Sequence, residues 1–233
     1  MRPGHNPRSH IELKLRAAQR ALQLVESGMA VGLGSGSTAT LWIKLVGEQV
    51  RDRRLKIRAI ATSEDSERLG RSYGIPFVTF EKCRALDLTV DGADEIAPGL
   101  ALIKGGGGKL LREKIVASAS KRLVVIADGS KEVNRLGRFP LPVEVIPMAV
   151  PLVRDALRDL GFLPSIRAGS RGKPYITDQG NVILDCSGLI LENPEAIARR
   201  LDSIVGVVEH GLFLHMADLA IIAREKQVIE RTT

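Results

Sequence analysis

Cysteine is scarce in this chain of 233 residues: Cys83 and Cys186 are the only two, which excludes a disulfide framework. Aromatic residues make up 3% of the sequence. That leaves little to stack unpaired bases and argues against a single-stranded nucleic-acid partner. No apolar run approaches the roughly 20 residues that span a bilayer, so no membrane partner is expected. The first ten residues lack the apolar stretch of a secretory signal, and the expectation is a cytoplasmic protein. Histidine is also rare. His210 and His215 stand five apart, a spacing that does not share a helix face, and no zinc motif is present.

What is present is a sequence 44% hydrophobic, with a net charge of +7. The positive excess gathers in two places, Arg8, Lys14, Arg16 and Arg20, and then Arg51, Arg53, Arg54, Lys56 and Arg58. With so few aromatics between them, these read as solvated basic surface that aids capture of an anionic metabolite.

Periodicity alternates between helix and strand, the pattern of an α/β protein. Ser9-x-x-Glu12 is a capping box, and Leu15, Ala18, Leu22 and Val25 recur at helical spacing up to a stop at Gly28. Strands are predicted at 29–33, 57–61, 77–80, 86–90 and 123–127, with a further short one at 100–104. Helices are predicted at 38–46, 63–73 and 109–119. Phe139-Pro140-Leu141-Pro142 punctuates the chain, because proline does not sit in a central strand. A domain boundary is placed there. Beyond it the predicted order is β-α-β-β-α-β, that of a ferredoxin-like unit. The apolar segment 217–223 is expected to return to the first sheet.

Two turns carry the candidate chemistry. Gly34-Ser35-Gly36-Ser37-Thr38-Ala39 joins a strand to a helix and fits the loose dinucleotide fingerprint, with Glu64 near where a ribose-binding acid falls. Three hydroxyls crowd this turn, which suits a small terminal phosphate at a helix N-terminus better than a pyrophosphate. A helix start with no ligand is the plainer reading. The second block is Asp91-Gly92-Ala93-Asp94-Glu95, followed by Lys104 and four glycines, Gly105 to Gly108. Two carboxylates at a strand's carboxyl end lie where open α/β sheets bind ligands. The glycine run lacks the lysine and hydroxyl spacing of a Walker A loop. Glu113 follows in a helix between Arg112 and Lys114. Turned toward the site, it can act as a base; turned out, it is merely solvated. Lys104 and Lys131 are the nearby cations able to hold a phosphate or an oxyanion.

Together these segments resemble one family. GLGSGSTA (32–39), DGADEI (91–96), KGGGG (104–108), LREK (111–114), DGSK (128–131), FPLPVEVIP (139–147), GNVILD (180–185) and GVVEHGLF (206–213) are similar, in order, to type A ribose-5-phosphate isomerases. The resemblance runs from about Ile11 through nearly the whole chain. It implies a Rossmann-like catalytic domain, 1–140 plus 211–233, and a smaller ferredoxin-like α+β lid domain, 141–210. It implies interconversion of ribose 5-phosphate and ribulose 5-phosphate in the pentose phosphate pathway, with no cofactor and no metal, by a homodimer or tetramer. By resemblance Glu113 is the base, Asp91 and Asp94 contact sugar hydroxyls and help open the ring, and Lys104 stabilises the enediolate. Ser35, Gly36, Ser37, Thr38, Gly92, Ala93, Gly105, Gly106, Gly107 and Lys131 are substrate-binding, and Lys14 reaches the phosphate. Ser35 stands where many members carry threonine, and Val205 where many carry proline. The basic segment 1–9 has no counterpart in the resemblance.

Three other functions compete. A sugar-phosphate-sensing regulator of related fold needs a helix-turn-helix for which the segment before Met29 is too short. A glucosamine-6-phosphate deaminase or a lactonase needs a histidine among the motifs, and none is there. A dinucleotide-dependent oxidoreductase rests on the glycine fingerprint alone.

Overall fold

The computed structural model describes the backbone of residues 7–233 and the side chains of 10–170 and 172–233. Helix α1 (Pro7–Leu22) begins ahead of Ser9, so Ser9 lies inside the helix and not at its cap. The Ser9 side chain and the extension up to residue 6 lie outside the described residues. The helix also ends before Gly28, whose N–H instead donates to the Lys56 carbonyl at 2.7 Å in the turn into the first strand.

From there helix and strand alternate: β1 (Ala30–Leu33), α2 (Ser37–Arg51), β2 (Arg58–Ala61), α3 (Glu64–Ser72) and β3 (Leu88–Asp91). Two short strands, β4 (Glu95–Ile96) and β5 (Leu102–Ile103), precede α4 (Leu110–Ser118) and β6 (Leu123–Asp128). The second half runs β7 (Leu141–Val145), α5 (Val150–Asp159), β8 (Leu163–Ile166), β9 (Val182–Ser187), α6 (Pro194–Asp202) and β10 (Val207–His210). It closes with β11 (Leu212–Phe213), β12 (Leu219–Ala223) and β13 (Val228–Thr232).

The main sheet has the order β13-β12-β6-β3-β1-β2. All its pairs are parallel except β12 with β13. Its inner strands are buried on both faces, which is why they read as unbroken apolar runs. Along β6 the faces separate with the period of a strand. Val124 and Ile126 join the core under α1 and α2; Leu123, Val125 and Ala127 join the core beside Ala117 of α4 and Phe213. Ala17, Ala18 and Ala21 are fully buried, so α1 packs closely on that first face.

A second, antiparallel sheet has the order β10-β7-β9-β8. With α5 and α6 this is the ferredoxin-like order expected from the sequence. A third sheet, β11-β5-β4, is small and carries no periodic signal of its own. The α/β architecture with a parallel sheet and separate antiparallel layers matches the expectation from the sequence.

Several local readings need correction. Segment 77–80 is not a strand. It makes a single bridge, Phe77 to Ala59, and then turns away. Strand β13 is half-exposed at the sheet edge and carries no buried apolar run that would mark it in the sequence. Pro142 does sit in a central strand, β7. Its carbonyl accepts from Gly211 N at 2.8 Å, so its ring nitrogen faces the same side, beyond the His210 end of β10. The missing N–H therefore falls where no ladder bond is due. Among the described residues, no helix is long and apolar enough to cross a membrane.

Candidate active site

Strand order decides where the site forms. β1 leads to β2 on one side, while β3 pairs with β1 on the other. The turns after β1 and β3 thus meet at a switch point, where open α/β sheets leave a crevice at the strands' carboxyl ends. One pocket there, of about 110 Å³, is lined by Ser35 to Thr38, Gly92, Ala93, Asp94, Lys104 to Gly107 and Glu113, with Lys14 and Lys131 at its edge. Two larger depressions in the surface lie elsewhere and gather none of these groups.

Asp91 ends β3 and is 1% exposed. Its Oδ1 accepts from Ser35 N (2.9 Å) and Gly92 N (2.7 Å). Its Oδ2 lies 3.0 Å from Lys104 Nζ. Gly34 permits this approach, since a Cβ there would come within 2.4 Å of Asp91 Oδ1. Both Asp91 oxygens are therefore engaged, and Asp91 is absent from the pocket lining. Asp94 does line it, with Oδ2 accepting from Gly106 N at 2.7 Å.

Lys104 follows β5 and is 2% exposed. Its ammonium also donates to the Gly92 carbonyl at 2.6 Å and lies 5.3 Å from the centre of the Phe213 ring. Burial disfavours this cation, but the carboxylates of Asp91 and then Glu113 outweigh that cost and hold its pKa above the usual lysine value. Glu113, on the first turn of α4, is 5% exposed. Its Oε2 stands 3.4 Å from Lys104 Nζ, near enough for charge attraction but without hydrogen-bond geometry. Burial raises the Glu113 pKa to about 8; Lys104 opposes the shift, and the Asp91 and Asp94 charges add to it. A carboxylate so placed is poised to take a proton near neutral pH.

The other end of the pocket is exposed and cationic. Helix α2 starts at Ser37, and its N-cap, Gly36, offers no side-chain cap. Its first N–H groups therefore point outward without side-chain partners, which favours an anion. Lys14 Nζ donates to Ser37 Oγ at 3.0 Å, tying α1 to this turn. Lys131 reaches it from the short 3-10 turn after β6. Ser35 behaves differently from its neighbours. Its hydroxyl turns inward to Thr62 Oγ1 (2.6 Å) and Ser63 Oγ (2.8 Å), so its backbone, not its hydroxyl, serves the site. Glu64 opens α3 and lies outside the pocket lining, so it is not placed as a ribose-binding acid; its N–H donates to Asp178 at 3.3 Å.

The sequence reading missed the groups that hold this site from outside. Lys114 Nζ bonds Glu209 Oε1 (2.6 Å) and the His210 carbonyl (2.7 Å), and lies 5.0 Å from the Phe213 ring. Phe213 thus has an ammonium near it from Lys104 and another from Lys114. Lys109 pairs with Asp178, and Arg112 lies 3.7 Å from the same carboxylate. Asp202, Glu209 and His210 bring possible metal-ligand atoms within 4.8 Å of one another. The Lys114 ammonium already balances that cluster, and His210 Nδ1 accepts from Leu212 N at 3.2 Å. Burial, reinforced by Lys114, lowers the His210 pKa and favours the neutral ring.

Fold and site together define an α/β protein with a buried carboxylate–ammonium cluster beside an uncapped helix terminus. Known proteins of the same kind exist. The family profile of ribose 5-phosphate isomerase A (phosphoriboisomerase A) matches residues 58–227. A ribose-5-phosphate isomerase A of Roseiflexus castenholzii is 50% identical over 217 residues, covering 92% of this chain and 93% of that protein. A solved D-ribose-5-phosphate isomerase in complex with phospho-erythronic acid superposes with a TM-score of 0.93 at 35% identity, covering 96% of this chain and 99% of that one. The ribose 5-phosphate isomerase A of Methanocaldococcus jannaschii gives a TM-score of 0.91 at 40% identity, covering 95% and 99%. The chain belongs to the ribose 5-phosphate isomerase A family.

Proposed function

We propose that Glu113 and Lys104 carry the proton and the charge in the interconversion of D-ribose 5-phosphate and D-ribulose 5-phosphate, the reaction of this isomerase. The observation that carries this reading is the buried Glu113 Oε2, without a hydrogen-bond partner and 3.4 Å from Lys104 Nζ. In the open-chain aldose, the C2 proton is acidified by the C1 carbonyl. Glu113 removes it, and the electron pair moves onto the carbonyl oxygen to form an enediolate. The Lys104 ammonium stabilises that oxyanion in a dry site, where such a contact is worth far more than in water. The hydroxyl proton passes from O2 to O1, the electron pair on O2 forms the new C2 carbonyl, and Glu113 returns its proton to C1, giving the ketose. Asp94 faces the sugar hydroxyls. Asp91 works one step back, by anchoring Lys104 and the turn after β1.

The phosphate lies at the cationic end, on the N-terminus of α2, with Ser37, Thr38, Lys14 and Lys131 around it. Gly36, Gly92, Ala93 and Gly105 to Gly107 line the path between the two ends. No step in this scheme calls for a metal or an organic cofactor. Residues 141–210 form a lid domain over the catalytic domain of 1–140 and 211–233. We place the enzyme in the cytoplasm, in the non-oxidative pentose phosphate pathway, as a homodimer or tetramer. The test is direct turnover of ribose 5-phosphate in chelator-treated buffer. Full activity is the expected outcome; a strict need for added divalent metal would sink the mechanism.

A further inference from the structure

The segment GNVILD ends in Asp185, which the mechanism so far leaves idle. Asp185 lies on β9 and pairs with Arg167, just past the end of β8, through Nε at 2.9 Å and through Nη2. The remaining arm of the guanidinium, Nη1, leaves the antiparallel sheet altogether. It donates to the Gly105 carbonyl at 2.8 Å and to the Gly106 carbonyl at 3.1 Å. Arg167 is itself fixed by its backbone, its N–H donating to Ile183 O at 2.8 Å and its carbonyl accepting from Tyr175 N at 2.8 Å. The side chain is well buried, with 12% exposure. Gly108 sits so close to the Tyr175 ring that a Cβ there would come within 2.4 Å of it, so the second sheet's loop is packed directly on the glycine run.

Holding these carbonyls has a consequence on the opposite side of the loop. The chain has no cis peptide among its described residues, so each N–H points away from the carbonyl of its own peptide unit. The carbonyl of Gly105 faces Arg167, and the N–H of the same unit, Gly106 N, bonds Asp94 at 2.7 Å. The carbonyl of Gly106 faces Arg167, and the N–H of that unit belongs to Gly107, which lines the pocket. Among the described residues, Gly107 N has no hydrogen-bond partner. Glycine gives the loop freedom to take many conformations; the turn bond from Gly108 N to the Gly105 carbonyl (2.9 Å) and the two-pronged guanidinium together select one of them.

We propose that Arg167, anchored by Asp185, is a positioning residue that aims the Gly107 N–H at the bound sugar and locks Asp94 through Gly106. This rests on the reading of the Glu113 pocket as the catalytic site. Arg167 touches no substrate in this account and acts through the loop. Lysine cannot replace it, because one ammonium cannot fork between a carboxylate and two carbonyls in plane.

The test compares Arg167→Met, Arg167→Lys and Asp185→Asn with the wild type in kcat, KM and thermal unfolding, with and without guanidinium chloride at non-denaturing millimolar concentration. Misplacement of a reacting group by about 1 Å can cost roughly 10²-fold, and Arg167→Met is expected to lose about that much in kcat. KM should move far less, because the phosphate end is untouched. Free guanidinium should restore part of the lost kcat in Arg167→Met and none in Glu113→Gln. Arg167→Lys and Asp185→Asn should fall between wild type and Arg167→Met. A folded Arg167→Met with wild-type kcat overturns the proposal, as does a loss confined to KM or a kcat that guanidinium leaves unchanged. If Arg167→Met does not fold, Arg167→Lys and Asp185→Asn decide alone, and unaltered kcat in both overturns it. A fully active Glu113→Gln removes instead the reading of the pocket.

Discussion

The two ends of the pocket solve opposite problems with similar charges. At the inner end, Asp91, Lys104 and Glu113 are withdrawn from water, at 1%, 2% and 5% exposure. Charges there are costly to bury and strongly coupled, and the pKa values of Lys104 and Glu113 both rise. At the outer end, Ser37 is exposed and Lys14 and Lys131 are half-buried, on elements that keep contact with solvent. Charges there are placed to attract an anion through water, and salt screens them. In the proposed scheme burial thus separates chemistry from capture: the inner set acts on the transition state, while the outer set mainly holds a phosphate that does not change during the reaction.

The sharpest way to break this contrast is at the base. Glu113→Gln keeps the shape and removes the basicity. Its kcat should fall by about 10²–10⁴-fold with little change in KM, and exchange of the C2 proton with solvent deuterium, followed by NMR, should stop. Wild-type exchange in a folded mutant would move the base to Asp94.

Lys104→Met comes next. It leaves the Asp91 and Glu113 carboxylates buried without their cation. Loss of one oxyanion donor is worth about 10²–10³-fold in kcat. Orphaning the buried charges should also cost about 3–5 kcal/mol of stability, measurable by urea unfolding. A variant as stable as the wild type would mean that water reaches these carboxylates.

At the outer end, Ser37→Ala with Thr38→Ala should act on KM and leave kcat nearly intact. Each lost hydrogen bond to a charged phosphate costs roughly 1.5–3 kcal/mol. Rising salt should raise KM further in the wild type, and kcat should stay level. A kcat that falls as far as KM rises would erase the division between the two ends.

The mildest effect is with pH. Glu113 must be ionised to accept a proton, so kcat/KM should climb with pH and level off above an apparent pKa near 8. The sign for stability is opposite. The folded pKa lies above the ordinary value of 4.5, so the native state holds an extra proton between 4.5 and about 8. That contribution is complete below this window and is lost as pH rises through it. A flat kcat/KM profile between pH 6 and 9 would show that the inner end is wetter than its burial suggests.

The sequence by itself determined much of this protein. Buried strands announced themselves as apolar runs, helix α3 by its Ser63 cap, and the ligand crevice by carboxylates and glycines at strand ends. These signals are local, because strand period, caps and turns depend on residues a few positions apart. Tertiary structure decided the rest. The same turn sends the Ser35 hydroxyl inward to Thr62 and leaves Ser37 in reach of Lys14. Asp91 and Asp94 read alike in sequence, yet one is spent on Lys104 and the other faces the pocket. Pro142 is tolerated in a central strand because its neighbour ends beside it. Arg167 meets Gly105 across 62 residues of chain. Each of these depends on which distant atoms arrive at a given place, and no periodicity encodes that; only the packed fold, with its buried polar groups forced to find partners, selects one arrangement.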